Sequence, residues 1–180
     1  MVSGWGVSRQ ALCGLATEQD QVIEWHAAAP PSEPCWVFGW SLGGVVASQW
    51  LAHPNVKGLV TLGTPDEFSS QVNPVMFRRL RQRVERDSPS ALAGFYQWLL
   101  PDASPDWHDT HGLLPGLDCL ETSHCQAQWS SSDRPQLHLR GLSDPLYHSA
   151  TQGQIEGDHQ VPFLEPDRLR QRMDAFVHEF

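Results

Sequence analysis

Apolar residues in this chain come in short blocks set apart by proline, glycine and charged positions, and the blocks alternate between two periods. Cys35-Trp36-Val37-Phe38 is a continuous apolar run of strand length, and Val56 to Gly63 is a second. Both predict strands buried on two faces. Pro135 to Gly141 restores the same pattern, Ile155-Glu156-Gly157 is a weaker strand, and Gln21 to His26 alternates as a half-buried strand should. Between the first two runs, Val45 to Ala52 reads as a helix ended by Pro54. Arg9 to Thr17 reads as a short helix with Ala11, Leu12 and Leu15 on one face. Pro166 to Phe180 reads as a closing helix with Leu169, Met173, Phe176 and Val177 at helical spacing. Strand, helix, strand, helix, strand predicts a parallel α/β sheet.

From Asn73 to about Ser130 the character changes. That stretch is polar and helical, rich in Arg, Trp and His, and interrupted by Pro89, Pro101, Pro105 and Pro115. It reads as an insertion over the sheet, so residues 1–72 and 131–180 are expected to form the core and 73–130 a helical cap. No internal repeat or low-complexity tract is visible.

Composition narrows this picture without redirecting it. A chain of 180 residues suits one domain, and 40% apolar residues with eight tryptophans favour a packed core over disorder. No apolar run reaches membrane-spanning length, and the opening Met-Val-Ser-Gly-Trp-Gly lacks the pattern of a signal peptide, so a cytoplasmic location is expected. Cysteines 13, 35, 119 and 125 lack metal-ligand spacing and are expected as reduced core thiols. A net charge of −9 argues against nucleic-acid binding. Five of the twelve basic residues nevertheless cluster in Arg78 to Arg86, either as a solvated helix face or as a docking face for an acidic partner.

The candidate chemistry centres on Gly39-Trp40-Ser41-Leu42-Gly43, set between the first buried strand and its helix. Strand, G-x-S-x-G, helix is the setting of a nucleophile elbow. Ser41 must occupy a strained turn, and side chains at positions 39 and 43 would crowd it. The helix after it aims its amino end at the reacting centre, where negative charge develops. Such a serine needs a base and a carboxylate that orients the base, in the chain order Ser, acid, His. Of nine histidines, His159 lies in the loop between the last strand and the last helix. His138 lies within a strand, His178 on the closing helix and His53 at the far end of the elbow helix. His108, His111 and His124 fall in the cap, and His148 follows the acid loop. Asp144, after the third apolar strand, is the favoured acid, with Asp66 and Asp158 as rivals. Oxyanion donors are expected from the backbone of Leu42 and from the Gly4-Trp5-Gly6 loop; Trp5 reads equally as a core tryptophan. No metal or organic cofactor is called for.

Ser3-Gly4-Trp5-Gly6, Gly39 to Gly44, Gly141-Leu142-Ser143-Asp144 and Gly157 to Phe163 together resemble the α/β-hydrolase superfamily. The Trp-Ser-Leu-Gly-Gly elbow and its Val-Val-Ala-Ser-Gln helix are similar to the pimeloyl-acyl-carrier-protein methyl ester esterases of biotin synthesis (BioH type). The Ser-Gly-Trp-Gly start and the Ile-Glu-Gly-Asp-His stretch resemble the shorter BioG type. The resemblance implies an α/β-hydrolase fold, hydrolysis of a methyl ester on carrier-bound pimelate, and a triad of Ser41, Asp144 and His159. It also implies Trp5 and Leu42 at the oxyanion and ester group, and Phe95, Tyr96, Gln97, Trp98 and Leu99 as an acyl-contacting stretch, although a helix packing on the sheet accounts for that stretch too. Cap arginines contact acyl carrier protein in that family, which implies a docking face of Arg79, Arg83 and Arg86. The family's loop usually begins His-Gly where this chain has Ser3-Gly4, and its Asp144 to His159 interval is short. The fold also sets a central strand ahead of the loop, between 21–26 and 35–38, where this chain has Met1-Val2. The sheet is therefore expected to be N-terminally shortened, with a gap or a contraction there. Other readings with the same residues are a general esterase of small-molecule esters, an acyltransferase or C–C hydrolase, and a non-catalytic binding module.

Overall fold

The computed structural model describes residues 1–146 and 153–180. Four parallel strands form one sheet in the order β1 (Cys35–Trp40), β2 (Val56–Leu62), β3 (Gln136–Gly141) and β4 (Gly153–Ile155). Phe38 lies opposite Val60, Val60 opposite Leu137, and Arg140 opposite Gln154. Val56, Leu59, Val60 and Leu62 of β2 are all buried, as a strand covered on both faces requires.

The segment ahead of β1 departs from the expected strand. Val2 makes single parallel bridges to both Gly39 and Ile23. Its N–H donates to Phe38 O (2.9 Å) and its carbonyl accepts from Trp40 N–H (3.1 Å), while Ile23 N–H reaches Met1 O (3.0 Å) and Ser3 N–H reaches Ile23 O (3.0 Å). Residues 1–3 thus occupy the place between segments 21–26 and 35–38, and the sheet is contracted there. Gln21 to His26 is not a regular strand: it has this one bridge and then turns into a 3₁₀ segment, Trp25–Ala27. A partner one residue long supplies too few ladder bonds to hold an extended run. Beside it a groove of about 500 Å³ opens among Met1, Ile23, Cys35, Trp36 and Met173.

The elbow helix α1 (Leu42–Ser48) stops four residues short of the expected Ala52. Trp50 and Leu51 bond three residues back instead, to Ala47 and Ser48. The helix expected over Arg9 to Thr17 is a 3₁₀ turn, Arg9–Leu12, and β4 falls two residues earlier than expected. Gly157, at φ +109, closes β4's extension.

Beyond β2 come α2 (Phe68–Gln71), α3 (Pro74–Arg86), α4 (Ser88–Leu99), α5 (Leu113–Glu121) and α6 (Cys125–Ser130), none of which adds to the sheet. Asn73 caps α3 by accepting from the N–H groups of Val75 and Met76, and Asp87 caps α4 through Ser90 N–H. Phe77 and Val84 form the buried stripe of α3. The chain closes with α7 (Val161–Leu164) and α8 (Pro166–Val177), where Leu169 and Met173 are buried. All four cysteines are free; Cys125 is buried, but Cys13 is exposed rather than a core thiol, because it follows the 3₁₀ turn on its outer side. Among the described residues no helix is long and apolar enough to cross a membrane.

Candidate active site

Ser41 sits at φ 55 and ψ −123 between β1 and α1, and it is the one non-glycine residue with positive φ among the described residues. Holding a serine there costs on the order of 1–3 kcal/mol, which the packing around it must offset. The neighbouring glycines show how tight that packing is. A side-chain carbon on Gly39 would lie 2.4 Å from Gly44 Cα, and one on Gly43 would lie 2.3 Å from Val2 O. Gly4 is less confined but still close, with Trp40 Cε3 3.1 Å and Ser41 Cβ 3.3 Å from where its own Cβ would be. The backbone of the Gly4-Trp5-Gly6 loop therefore runs directly beside the serine. Leu42 opens α1, so its N–H belongs to the first turn, which has no intrahelical acceptor.

The acid and the base meet on the neighbouring strand ends. His159 Nδ1 lies 2.7 Å from Asp144 Oδ2, and both side chains are buried, at 2% and 0% exposure. The second carboxylate oxygen of Asp144 accepts from Leu146 N–H (2.9 Å). The two rival acids have other partners. Asp158 accepts from both the backbone and the side chain of Gln160, and Asp66 accepts from Glu67 N–H and the Gln71 amide. Gly63 joins the pair to the elbow. It follows Leu62, whose carbonyl accepts from Ser41 N–H (2.9 Å), and a Cβ on Gly63 would lie 2.9 Å from His159 Nδ1 and 3.2 Å from Asp144 Oδ2. The backbone of Ser41 and the His159–Asp144 pair thus both approach the carboxyl end of β2, at Leu62 and Gly63.

Among the described histidines, His138 lies within β3. His138 stacks on Trp129 (3.7 Å between centroids), accepts from Thr61 Oγ1 (2.8 Å) and donates to Gln136 Oε1 (3.2 Å). Burial lowers its pKa to about 4, against an opposing pull from Asp66, so it is neutral and structural. His148 lies outside the described residues.

On the helical side, the expected residues divide. The Trp5 indole donates to Leu113 O (2.8 Å) and meets Phe95 edge-on (4.9 Å, 80°), which anchors the glycine loop to α5 and α4. Tyr96 and Leu99 are core residues. The Tyr96 hydroxyl faces Gly6 O (3.2 Å) and Trp107 O (3.1 Å), and burial pushes its phenol up, helped by Asp109. Gln97 and Trp98 are exposed. One turn of helix distributes five successive residues around its circumference, so of this stretch Phe95 is the one packed on Trp5. Arg79, Arg83 and Arg86 are exposed on one stripe of α3, next to a half-exposed Met76. Arg81 faces the other way and pairs with Asp118 (2.7 Å) and Glu121 (3.0 Å) of α5.

Three residues that the sequence reading passed over also shape the site. The Trp40 indole donates to His159 O (3.0 Å). Thr64 Oγ1 donates to Ser41 O (3.1 Å). Gln160, 1% exposed, accepts from Asp102 N–H (2.9 Å) and donates to Asp102 Oδ2 (3.2 Å), bridging the histidine loop to the turn after α4. Trp40 and Thr64 sit in positions flagged by the elbow and the strand end; nothing in the local sequence signals Gln160.

No protein-family model matches the chain. The pimeloyl-[acyl-carrier protein] methyl ester esterase of Vibrio atlanticus (strain LGP32) is 30% identical over 166 residues, covering 78% of this chain and 64% of that protein. The protein of the same name from Shewanella oneidensis is 27% identical over 176 residues, covering 84% of this chain and 65% of the relative. The chain therefore spans just under two thirds of the length of these curated relatives. Among solved structures, an esterase from Exiguobacterium antarcticum superposes with a TM-score of 0.75 at 14% identity, over 98% of this chain and 91% of that one. A bromoperoxidase from Bacillus anthracis gives 0.76 at 13%, with the same coverage. The chain has the α/β-hydrolase fold that its motifs lead one to expect, and its resemblance to the pimeloyl-carrier esterases holds at modest identity.

Proposed function

We propose that this chain is a serine carboxylesterase that hydrolyses the methyl ester of a pimeloyl group carried on acyl carrier protein. The observation that carries the esterase reading is the strained Ser41, whose N–H is held by Leu62 O, together with a buried His159–Asp144 pair packed against the adjacent Gly63. With Nδ1–H donated to Asp144, the imidazole presents Nε2 as a proton acceptor. Ser41 Oγ attacks the ester carbonyl as its proton passes to His159 Nε2. The N–H groups of Leu42 and of the Trp5 loop receive the oxyanion, a role in which one donor is worth about 3 kcal/mol. Collapse expels methoxide, which takes the proton from His159 and leaves as methanol. Water then repeats the sequence on the acyl-enzyme and frees the carboxylate. Asp144 holds the ring and stabilises its charged form.

The substrate reading rests on the relatives' names and on a stripe of exposed cations on α3. Helices α3 to α6 form the cap in this account, Phe95 lies against the acyl chain, and Arg79, Arg83 and Arg86 receive the acidic carrier. The test is methanol release from carrier-bound and from free methyl pimelate. Preference for the carrier-bound ester supports the reading. Equal turnover of free short-chain esters identifies a general esterase instead, and the absence of turnover with any ester identifies a non-catalytic module.

A further inference from the structure

Next to Gly6 of the Trp5 loop, two loops bring a second set of chemical groups together. Asp109 is held from three directions. Its own N–H donates to Gly6 O (3.0 Å), its Oδ1 accepts from His111 N–H (2.9 Å), and its side chain is 8% exposed. His26 Nε2 lies 2.9 Å from Oδ2, and His111 Nδ1 lies 2.9 Å from Oδ1. The three ligand atoms, one from each residue, all lie within 4.8 Å of one another, and both rings reach solvent. The approach of the two loops is built into the backbone. Gly112 has φ +65, and a Cβ there would lie 2.9 Å from the Trp25 ring and 3.3 Å from His26 Cβ. Burial alone would raise the Asp109 carboxyl; the hydrogen bonds from His111 and His26 outweigh it and keep the pKa below the ordinary value.

We propose that His26, Asp109 and His111 form a binding site for a divalent transition-metal ion of the zinc, cobalt or nickel kind, stapling the 25–27 turn to the loop before α5. Such ions sit about 2.1 Å from imidazole nitrogen and carboxylate oxygen, so adjacent ligand atoms lie about 3 Å apart along an octahedral edge. The two observed nitrogen-to-oxygen separations are of that size and run to different carboxylate oxygens, His26 Nε2 to Oδ2 and His111 Nδ1 to Oδ1, an arrangement suited to a carboxylate that spans the ion with both oxygens. An ion entering there displaces the protons shared with Asp109; each imidazole binds through the nitrogen that faced the carboxylate and carries its single proton on the other one, Nδ1 in His26 and Nε2 in His111, any further proton passing to solvent. Two imidazoles and one carboxylate favour these metals over magnesium or calcium, and the exposed His111 leaves room for water in the remaining positions. Because Asp109 also holds Gly6 O, an ion at this site stiffens the loop that carries Trp5. The inference stands apart from the esterase reading and does not depend on it.

The experiment is a titration of the full, chelator-stripped chain with Co²⁺, read by visible absorption, and with Zn²⁺, read by calorimetry and thermal unfolding. One ion is expected per chain, with a cobalt spectrum of nitrogen and oxygen ligation and a raised Tm. His26→Gln and His111→Gln, both at solvent-reaching positions, are each expected to weaken binding about tenfold or more. Absence of saturable binding, a thiolate-to-cobalt band, or undiminished binding in both variants would overturn the proposal.

Discussion

The indole of Trp40 donates a hydrogen bond to the carbonyl of His159 across 3.0 Å, tying the strand that delivers the serine to the loop that delivers the base. The two rings also lie 5.4 Å apart, and Phe163 meets the tryptophan in a T-shaped contact at 5.7 Å. Trp40→Phe preserves most of that packing and removes the donor. A neutral hydrogen bond is worth about 1 kcal/mol, or about fivefold in rate if it positions the base. Steady-state kinetics are expected to show kcat reduced about that much and KM little changed.

Gly63 leaves the space in which the His159 ring lies against Asp144. In Gly63→Ala the added carbon meets the ring at 2.9 Å, and φ +57 is unfavourable for an L side chain. The backbone strain costs roughly 1–2 kcal/mol of stability. Displacing the ring costs far more in turnover, on the order of a hundredfold. Urea unfolding and ester hydrolysis measured on the same sample distinguish the modest first loss from the large second one.

Charge reversal on α3 separates recognition from chemistry. Replacing Arg79, Arg83 and Arg86 by Glu leaves the buried stripe of Phe77 and Val84 untouched. For a carrier-linked ester, kcat/KM is expected to fall by about tenfold or more, while a free methyl ester is turned over at the parent rate. Added salt reduces the parent's rate on the carrier-linked ester in the same direction.

His138 makes stability depend on pH. Its pKa falls from 6.5 to about 4 on folding, so between those values the unfolded chain binds more protons and stability rises with pH. The contribution is complete above pH 6.5 and lost as pH falls toward about 4, amounting to roughly 2 kcal/mol after allowing for partial exposure of the ring. His138→Gln removes this component. Urea midpoints of the parent and the variant are expected to converge as the pH is lowered through that window.

How much of this was legible in the sequence depended on how local each constraint is. The elbow was readable because Gly39, Ser41 and Gly43 answer to one steric requirement within five residues. Asp144 and His159 followed from chain order and from their places after strands, and the structure brings them to 2.7 Å. Gln21 to His26 misled because alternation records which faces differ in polarity, and says nothing about whether a long enough neighbour exists; Val2 alone is that neighbour. Phe95 to Leu99 reads both as an acyl-contacting stretch and as a packing helix, and the helix divides it, with Tyr96 and Leu99 inward and Gln97 and Trp98 outward. The tie from Gln160 to Asp102 is not legible in the sequence because the two lie 58 residues apart.

The measurement closest to the central claim is the intact mass of the folded chain after exposure to a fluorophosphonate, with the modified peptide then identified. The account predicts one adduct per chain, on Ser41, lost in His159→Ala and after unfolding. An unlabelled native chain, or labelling of Ser41 that proceeds equally well without the imidazole, would contradict it.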